Sequence, residues 1–249
     1  MSETRVKSIQ EIKDIKISGQ MLAAVLELVG KNIVPGITPL DLAGLAKKEV
    51  KALGGVPTFL GMYGFPDVIC ISVNDEIVHG IPKAVKINEG DIVSFDFGVT
   101  YNGMITDAAR SKIAGKGSSN ANRLLKGTEE SLNAGIQVLK NGVRVGDISN
   151  AVEKVLNRYG FGIVRELVGH GVGHELHEEP NIPNYGPAGK GPVLKTGMTI
   201  AIEPMTTLGS HEISTDRDGW TIRTLDGSLA AHFEDTILIT ENGYEILTR

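Results

Sequence analysis

The sequence feature that most constrains the fold is a hairpin pattern in the stretch GDIVSFDFGVTYNGMITDAAR, which starts at Gly90. Two runs rich in β-branched and aromatic residues flank the dipeptide Asn102-Gly103, and this arrangement predicts a two-residue type I′ turn between antiparallel strands. Such a turn fixes the register, because each residue before it must lie opposite one residue after it. The expected pairs are Tyr101 with Met104, Thr100 with Ile105, Val99 with Thr106 and Gly98 with Asp107.

This register brings two carboxylates to one face of the hairpin. Side chains alternate between the two faces of a strand, so Asp96, Gly98 and Asp107 share a face. Asp96 and Asp107 are diagonal neighbours at roughly 7–8 Å, close enough to bind one cation, and the glycine leaves space beside them. The alternative is a solvated pair on an exposed strand. Phenylalanines on the opposite face favour a buried strand, and therefore half of a metal site. That opposite face carries Val93, Phe95, Phe97 and Val99.

The composition is that of an ordinary globular protein. The 249 residues are 41% hydrophobic and 22% charged, enough for a sizeable core. A net charge of −5 gives no indication of nucleic-acid or membrane binding. The single cysteine, Cys70, excludes an internal disulfide framework. Because the N-terminus lacks the apolar run of a signal peptide and no stretch approaches about 18 apolar residues, we expect a cytoplasmic protein.

Helices and strands are predicted in an order that occurs twice. The expected elements are helices at 8–33, 39–54, about 121–140 and about 146–159, and strands at 68–73 and 91–109. The stretch GITPLDL from Gly36 matches GVRVGDI from Gly142, and Gly54 matches Gly160, all at an offset of 106 residues. We therefore expect one α/β domain over residues 1–249 with two related halves, approximately 8–112 and 118–240. A site between the halves would take ligands from both.

A histidine-rich stretch in the second half is the first candidate for the missing ligands. GHGVGHELHEEP contains His170, His174 and His177, and its glycines favour extended backbone over a helix. It is not a zincin HExxH helix, because position 178 is glutamate. In a regular strand His170 and His174 would share a face, with His177 on the other.

Two further carboxylates come from predicted strands. Glu203 ends the apolar strand MTIAIE, and Asp226-Gly227 predicts a hairpin that would place Glu234 in mid-strand, opposite Gly219, with Trp220 opposite Phe233. A buried carboxylate at either position needs a partner. Four carboxylates and one imidazole exceed the needs of one catalytic zinc and suit two divalent ions. That set is Asp96, Asp107, His170, Glu203 and Glu234.

These motifs together resemble the type I methionine aminopeptidases of peptidase family M24, the pita-bread superfamily, over nearly the whole chain. The matching motifs are ISVNDEIVHGIP (71–82), GDIVSFDFGVTYNGMITD (90–107), GHGVGHELHEEP (169–180), MTIAIEP (198–204) and HFEDTILIT (232–240). The resemblance implies a pita-bread fold, in which two pseudo-symmetric halves place helices over a curved antiparallel sheet. It implies hydrolytic removal of an N-terminal methionine by a hydroxide that bridges two metal ions, which can be cobalt, manganese, iron or zinc.

The resemblance also implies roles for individual residues. Asp96 would bind one metal, His170 and Glu203 the other, and Asp107 and Glu234 would bridge the two. His79 and His177 would contact the substrate, with His177 near the scissile carbonyl, and Glu203 would carry the proton to the leaving amine. The substrate's free amino group would bind a metal. The pocket for the methionine side chain would consist of Phe59, Met62, Phe65, Cys70, Leu176 and Trp220.

Departures from the family pattern leave two alternatives. Many relatives have an aromatic residue where Met62 and Leu176 stand, and GHELHEEP leans toward the Xaa-Pro aminopeptidases and prolidases of the same superfamily. IVHGIP and Trp220 favour the methionine branch. A non-catalytic peptide-binding member would have lost metal ligands, and here all of them are present. The expected partners are peptide and nascent-chain N-termini, with the ribosome implied by the resemblance only, and the expected state is a monomer.

Overall fold

The structure is a computed structural model that describes residues 5–249. The helices are α1 (Ile9–Asn32), α2 (Pro39–Leu53), α3 (Ser119–Gln137) and α4 (Val145–Tyr159), and a 3-10 turn spans Met62–Gly64. The strands are β1 (Val56–Pro57), β2 (Cys70–Val73), β3 (Glu76–Val78), β4 (Ile92–Tyr101), β5 (Met104–Ile113), β6 (Gly162–Ile163), β7 (Gly169–Gly171), β8 (Glu178–Ile182), β9 (Thr199–Ile202), β10 (Met205–Thr207), β11 (Ile213–Thr215), β12 (Ile222–Thr224), β13 (Ala230–His232), β14 (Asp235–Thr240) and β15 (Gly243–Ile246).

Helices α2 and α4 lie at the offset of the sequence match. Helix α4 begins and ends 106 residues after α2, and both stop at a left-handed glycine, Gly54 (φ 84°) and Gly160 (φ 67°). In the first turns, Asp41 and Asp147 accept main-chain N–H groups at 3.0 and 3.1 Å. These acceptors satisfy N–H groups that a helix start leaves without intrahelical partners.

The β4–β5 hairpin confirms the predicted turn and register. Asn102 and Gly103 have φ of 48° and 79°, as a type I′ turn requires. All the predicted pairs are present, down to Gly98 opposite Asp107. The predicted apolar face packs into a core beneath α1 and α2; its members on β4 are Val93, Phe95, Phe97 and Val99. A second core joins α3 and α4 to the strands β9 and β14.

Every strand pairing described is antiparallel, and the two largest sheets meet where β5 contacts β14. One sheet consists of β1, β2, β4 and β5, and the other has the order β15-β14-β9-β7-β8. At the junction, the Asp107 N–H donates to the Thr236 hydroxyl (2.9 Å), which donates to the Asp107 carbonyl (2.7 Å). Ala109 and Glu234 exchange main-chain hydrogen bonds of 2.9 and 3.3 Å. The two sheets are therefore joined beside two predicted metal ligands, and the α+β prediction is confirmed.

None of the helices within residues 5–249 combines the length and apolar content needed to cross a bilayer.

Candidate metal centre and active site

One cavity of about 620 Å³ brings together all the residues that the sequence predicts for the site. It is lined by the predicted metal ligands Asp96, Asp107, His170, Glu203 and Glu234, the predicted substrate contacts His79 and His177, and the predicted pocket residues Phe59, Met62, Phe65, Cys70, Leu176 and Trp220. The acidic and imidazole groups and the apolar side chains therefore share one space, as a site that cuts beside an apolar residue requires.

The hairpin positions the first two carboxylates by its register. Asp96 lies on β4 opposite Ala109, and Asp107 lies on β5 opposite Gly98. The role that the sequence suggests for Gly98, space for an ion, is wrong. A Cβ atom there would approach the Phe59 ring to 2.8 Å, so the glycine makes room for the apolar pocket.

Glu203 and Glu234 come from strand ends on the other side of the junction. Glu203 directly follows β9, as predicted. Glu234 does not lie in mid-strand: it lies between β13 and β14, where its N–H donates to the Ala109 carbonyl at 2.9 Å. Arg110 donates to the Glu234 carbonyl, which further fixes this ligand.

The predicted hairpin around Asp226-Gly227 is wrong. A turn is present one residue earlier, with Leu225 and Asp226 at its centre, but β12 pairs with β3 and β11, whereas β13 pairs with β10. Trp220 therefore does not face Phe233. Its ring packs edge-on against Phe65 in the cavity at a centroid distance of 5.2 Å, while Phe233 is buried in the second core.

The histidine-rich stretch is extended only at its ends. The prediction that His170 and His174 share a face, with His177 on the other, is therefore wrong. Strand β7 ends at Gly171, and bends follow before β8. His170 and His177 come together, with ring centroids 4.5 Å apart at 87°. His174 points away, and its Nε2 lies 2.7 Å from Glu11 Oε1 on α1. The bends change the strand phase that alternation assumes.

Sequence reasoning missed His232. Its Nε2 lies 3.4 Å from Glu203 Oε2 and 3.9 Å from Glu234 Oε2, and the residue is 1% exposed. The signal that identifies it is spacing. A histidine two residues before a metal carboxylate shares a strand face with it, and the HFED motif contains that pair.

Burial makes the charged forms of the site residues costly. It raises the pKa of Asp96 to about 7 and that of Glu203 to about 8, and it raises the pKa values of Asp107 and Glu234 well above their ordinary range. Neighbouring carboxylates raise the last two further. The same burial lowers histidine pKa values, to about 4 for His79 and His232 and about 3 for His170, and it lowers that of His177. The cluster is thus a set of converging carboxylates surrounded by neutral imidazoles.

Divalent cations fit this donor set. Within residues 5–249, several buried atoms that face the cluster find no hydrogen-bond partner, namely Asp96 Oδ1, Asp107 Oδ1, Glu234 Oε1 and His232 Nε2. Buried polar atoms seldom stay unpartnered, and a bound cation would satisfy all of them. Two groups of ligand atoms each lie within 4.8 Å of one another: Asp107, His170 and Glu234, and Glu203, His232 and Glu234. His170 Nδ1 lies 2.9 Å from the Gly171 carbonyl, which favours the tautomer with a free Nε2 lone pair.

A buried ion pair holds the histidine stretch from behind. Lys7 Nζ lies 2.9 Å from Glu178 Oε2, and both side chains are at most 1% exposed. The other oxygen, Oε1, accepts the N–H groups of His174 (2.7 Å) and Glu175 (3.2 Å). The N-terminal segment thereby fixes the bends between His170 and His177.

Comparison with known proteins identifies the family. The model of metallopeptidase family M24 matches residues 13–241. The chain belongs to this family. Methionine aminopeptidase 1 of Bacillus subtilis is 46% identical over 243 residues, which are 98% of each chain. The crystal structure of methionine aminopeptidase from Thermotoga maritima matches with a TM-score of 0.97 and 46% identity over 99% of each chain. The family resemblance inferred from the motifs is confirmed, and so is the fold it implies.

The same fold occurs in a longer chain. Prolidase from Pyrococcus furiosus matches with a TM-score of 0.80 at 25% identity, covering 98% of this chain and 65% of that one. Identity is therefore much higher to the methionine aminopeptidases than to the prolidase.

Proposed function

We propose that the protein removes the N-terminal methionine from peptides and nascent chains by metal-dependent hydrolysis of the first peptide bond. The observation that carries the proposal is one cavity in which a carboxylate–imidazole cluster adjoins an apolar pocket. The 46% identity to methionine aminopeptidases along nearly the whole chain supports this function over the Xaa-Pro alternative. Action on nascent chains, a monomeric state and ribosome contact are predictions from the family resemblance, and a cytoplasmic location is a prediction from the sequence.

The apolar side of the cavity suits a thioether. Phe59, Phe65 and Leu176 are buried around it, with Met62 and Trp220 packed against them. Methionine, phenylalanine and tryptophan side chains make favourable contacts with sulfur and with an unbranched chain. The cluster lies at the side of this pocket, so a methionine inserted there would present its own peptide bond to the carboxylates and histidines.

The metal ligands of the proposal are Asp96, Asp107, His170, Glu203 and Glu234, all of which line the cavity. Two divalent ions there would supply Lewis acidity, which lowers the pKa of a water molecule and polarises the scissile carbonyl. Neutral His177 can donate its ring N–H to the carbonyl oxygen as negative charge develops on it. His79, which also lines the cavity, would hydrogen-bond the amide region.

Glu203 is the proposed proton carrier. Water oxygen bonds to the carbonyl carbon, the water proton passes to the Glu203 carboxylate, and Glu203 delivers it to the nitrogen as the carbon–nitrogen bond breaks. The products are free methionine and a shortened peptide with a new amino terminus.

The test is release of methionine from Met-Ala-Ser by chelator-treated protein, with and without added Co²⁺ or Mn²⁺. Metal-restored release is the expected result. Cleavage of Xaa-Pro peptides without release from Met-Ala-Ser would assign the protein to the alternative branch. No cleavage of either substrate, with metal bound, would favour a peptide-binding role.

A further inference from the structure

An imidazole outside the predicted ligand set faces the metal centre. His232 Nε2 lies 3.4 Å from Glu203 Oε2, yet it makes no hydrogen bond to any group within residues 5–249. His170 Nε2 lies 3.5 Å from the other oxygen, Glu203 Oε1. The Glu203 carboxylate therefore lies between two ring nitrogens, each directed at a different oxygen atom.

The ligand atoms divide into two groups that share one residue. Asp107, His170 and Glu234 form the first, and Glu203, His232 and Glu234 form the second, with all ligand atoms of each group within 4.8 Å of one another. Each group thus holds carboxylate oxygens and one imidazole nitrogen, and the shared Glu234 can serve both. The predicted set gives a nitrogen to only one ion.

The protein holds His232 firmly in place. Its N–H donates to the Ser111 hydroxyl at 2.9 Å, and the same hydroxyl donates to its carbonyl at 2.9 Å. On the other side it pairs with Met205 across β13 and β10. With the side chain 2% exposed, the ring has little freedom to turn away from the carboxylates. A ring nitrogen that is fixed, buried and without a hydrogen-bond partner is typical of a metal ligand rather than of a surface histidine.

We propose that His232 Nε2 is a ligand of the second metal ion, so that each ion of the pair binds one imidazole. Glu203, which the family resemblance assigns to the ion of His170, faces His170 with one oxygen and His232 with the other, and so would contact both ions. The proposal rests on the two-metal site of the proposed function. A nitrogen ligand on both ions favours Co²⁺, Fe²⁺ or Zn²⁺ over Mn²⁺, which prefers oxygen donors.

The first experiment is calorimetric titration of chelator-treated protein with Co²⁺. Wild-type protein should bind two ions per chain, and His232→Gln should bind one of them at least about tenfold more weakly, with a smaller effect for Mn²⁺. The matched control is His177→Gln, which changes an imidazole of the same cavity outside both ligand groups and should bind two ions as the wild type does. Unchanged affinity in His232→Gln would overturn the proposal.

The second experiment uses wild-type protein, so its result does not depend on whether a variant folds. Protein labelled with ¹⁵N at histidine is titrated with diamagnetic Zn²⁺, and the Nε2 resonances of two imidazoles should shift to metal-bound positions. A shift of one imidazole alone, that of His170, would overturn the proposal. These experiments distinguish failure of this proposal from failure of the proposed function. If the proposed function is wrong, metal-loaded wild-type protein releases no methionine, but both titrations can still be interpreted.

Discussion

Lys7 Nζ lies 2.9 Å from Glu178 Oε2, and this buried pair joins the N-terminal segment to the stretch that carries His170 and His177. Burial lowers the pKa of Lys7, while the Glu178 carboxylate opposes that shift. Removing one partner of a buried pair leaves the other charge without compensation. The pair is therefore a point at which a distant substitution should affect both stability and the site.

Lys7→Met should lower the free energy of unfolding by about 3–5 kcal/mol, because it leaves the Glu178 carboxylate buried and unpaired. Adding Glu178→Gln should recover part of the loss, since a glutamine oxygen can still accept the N–H groups of His174 and Glu175. Urea unfolding of the metal-free protein measures both effects. Lys31→Met is the control: it removes an exposed pair with Glu27 and should leave the unfolding midpoint unchanged. Equal midpoints for Lys7→Met and wild type would show that the buried pair contributes nothing.

Asp107→Ala should abolish binding of both metal ions and, with it, methionine release. The family resemblance predicts that this carboxylate bridges the two ions, and its unpartnered Oδ1 faces the cluster. Without metal, the variant should be at least as stable as wild type, because burial and neighbouring carboxylates oppose ionisation of Asp107 in the folded protein, whereas the unfolded chain ionises freely. Elemental analysis after dialysis gives the ions per chain, and thermal unfolding checks the fold. Two ions retained per chain would contradict the predicted bridging role.

His177→Ala should retain both ions and lower kcat by about two orders of magnitude, the typical effect of losing one oxyanion donor. The ring contacts that of His170 but lies outside both ligand groups. His174→Ala is the matched control from the same stretch, because its side chain binds Glu11 rather than the cavity, and it should lower kcat only slightly. Loss of a metal ion from His177→Ala would mean that this histidine is a ligand.

The parts of the site that the sequence predicts correctly depend on local rules. A two-residue turn at Asn102-Gly103 permits only one register, so the positions of Asp96 and Asp107 follow from the sequence alone. The helix repeat is equally local, since both shorter helices end at a glycine with positive φ. The same rules correctly place Glu203 after an apolar strand.

The parts that it predicts wrongly depend on long-range pairing. A turn does form beside Gly227, at Leu225 and Asp226, but the strands on either side pair with different partners, β3 and β10, and no local pattern reports that choice. The sequence predicts that His174 shares a face with His170, but His177 does so instead. Lys7 and Glu178, which are far apart in sequence, fix the bends that cause this change. The same long-range assembly brings His232 to Glu203, whereas spacing along the chain relates His232 only to Glu234.

The metal-free protein should lose stability as the pH rises from about 6.5 to 8. Burial raises the pKa of Asp96 to about 7 and of Glu203 to about 8, so over this range the folded state holds protons that the unfolded state has already released. Stability then falls with rising pH, by about 1.4 kcal/mol per pH unit for each proton retained. The buried histidines act in the opposite direction, because their folded pKa values are lowered, but only below about pH 6.5, where unfolded histidine takes up a proton.

Thermal unfolding with a chelator at pH 6.5, 7.2 and 8 measures this fall. Glu203→Gln should reduce it, whereas Glu129→Gln on the exposed face of α3 should not. Metal-loaded protein should show no such fall, because bound cations keep the carboxylates deprotonated in the folded state. Metal binding should therefore release protons, which calorimetry in two buffers of different ionisation enthalpy detects. A metal-free midpoint that stays level or rises over this range would mean that the carboxylates are already ionised in the folded protein, and that cations replace solvent rather than protons.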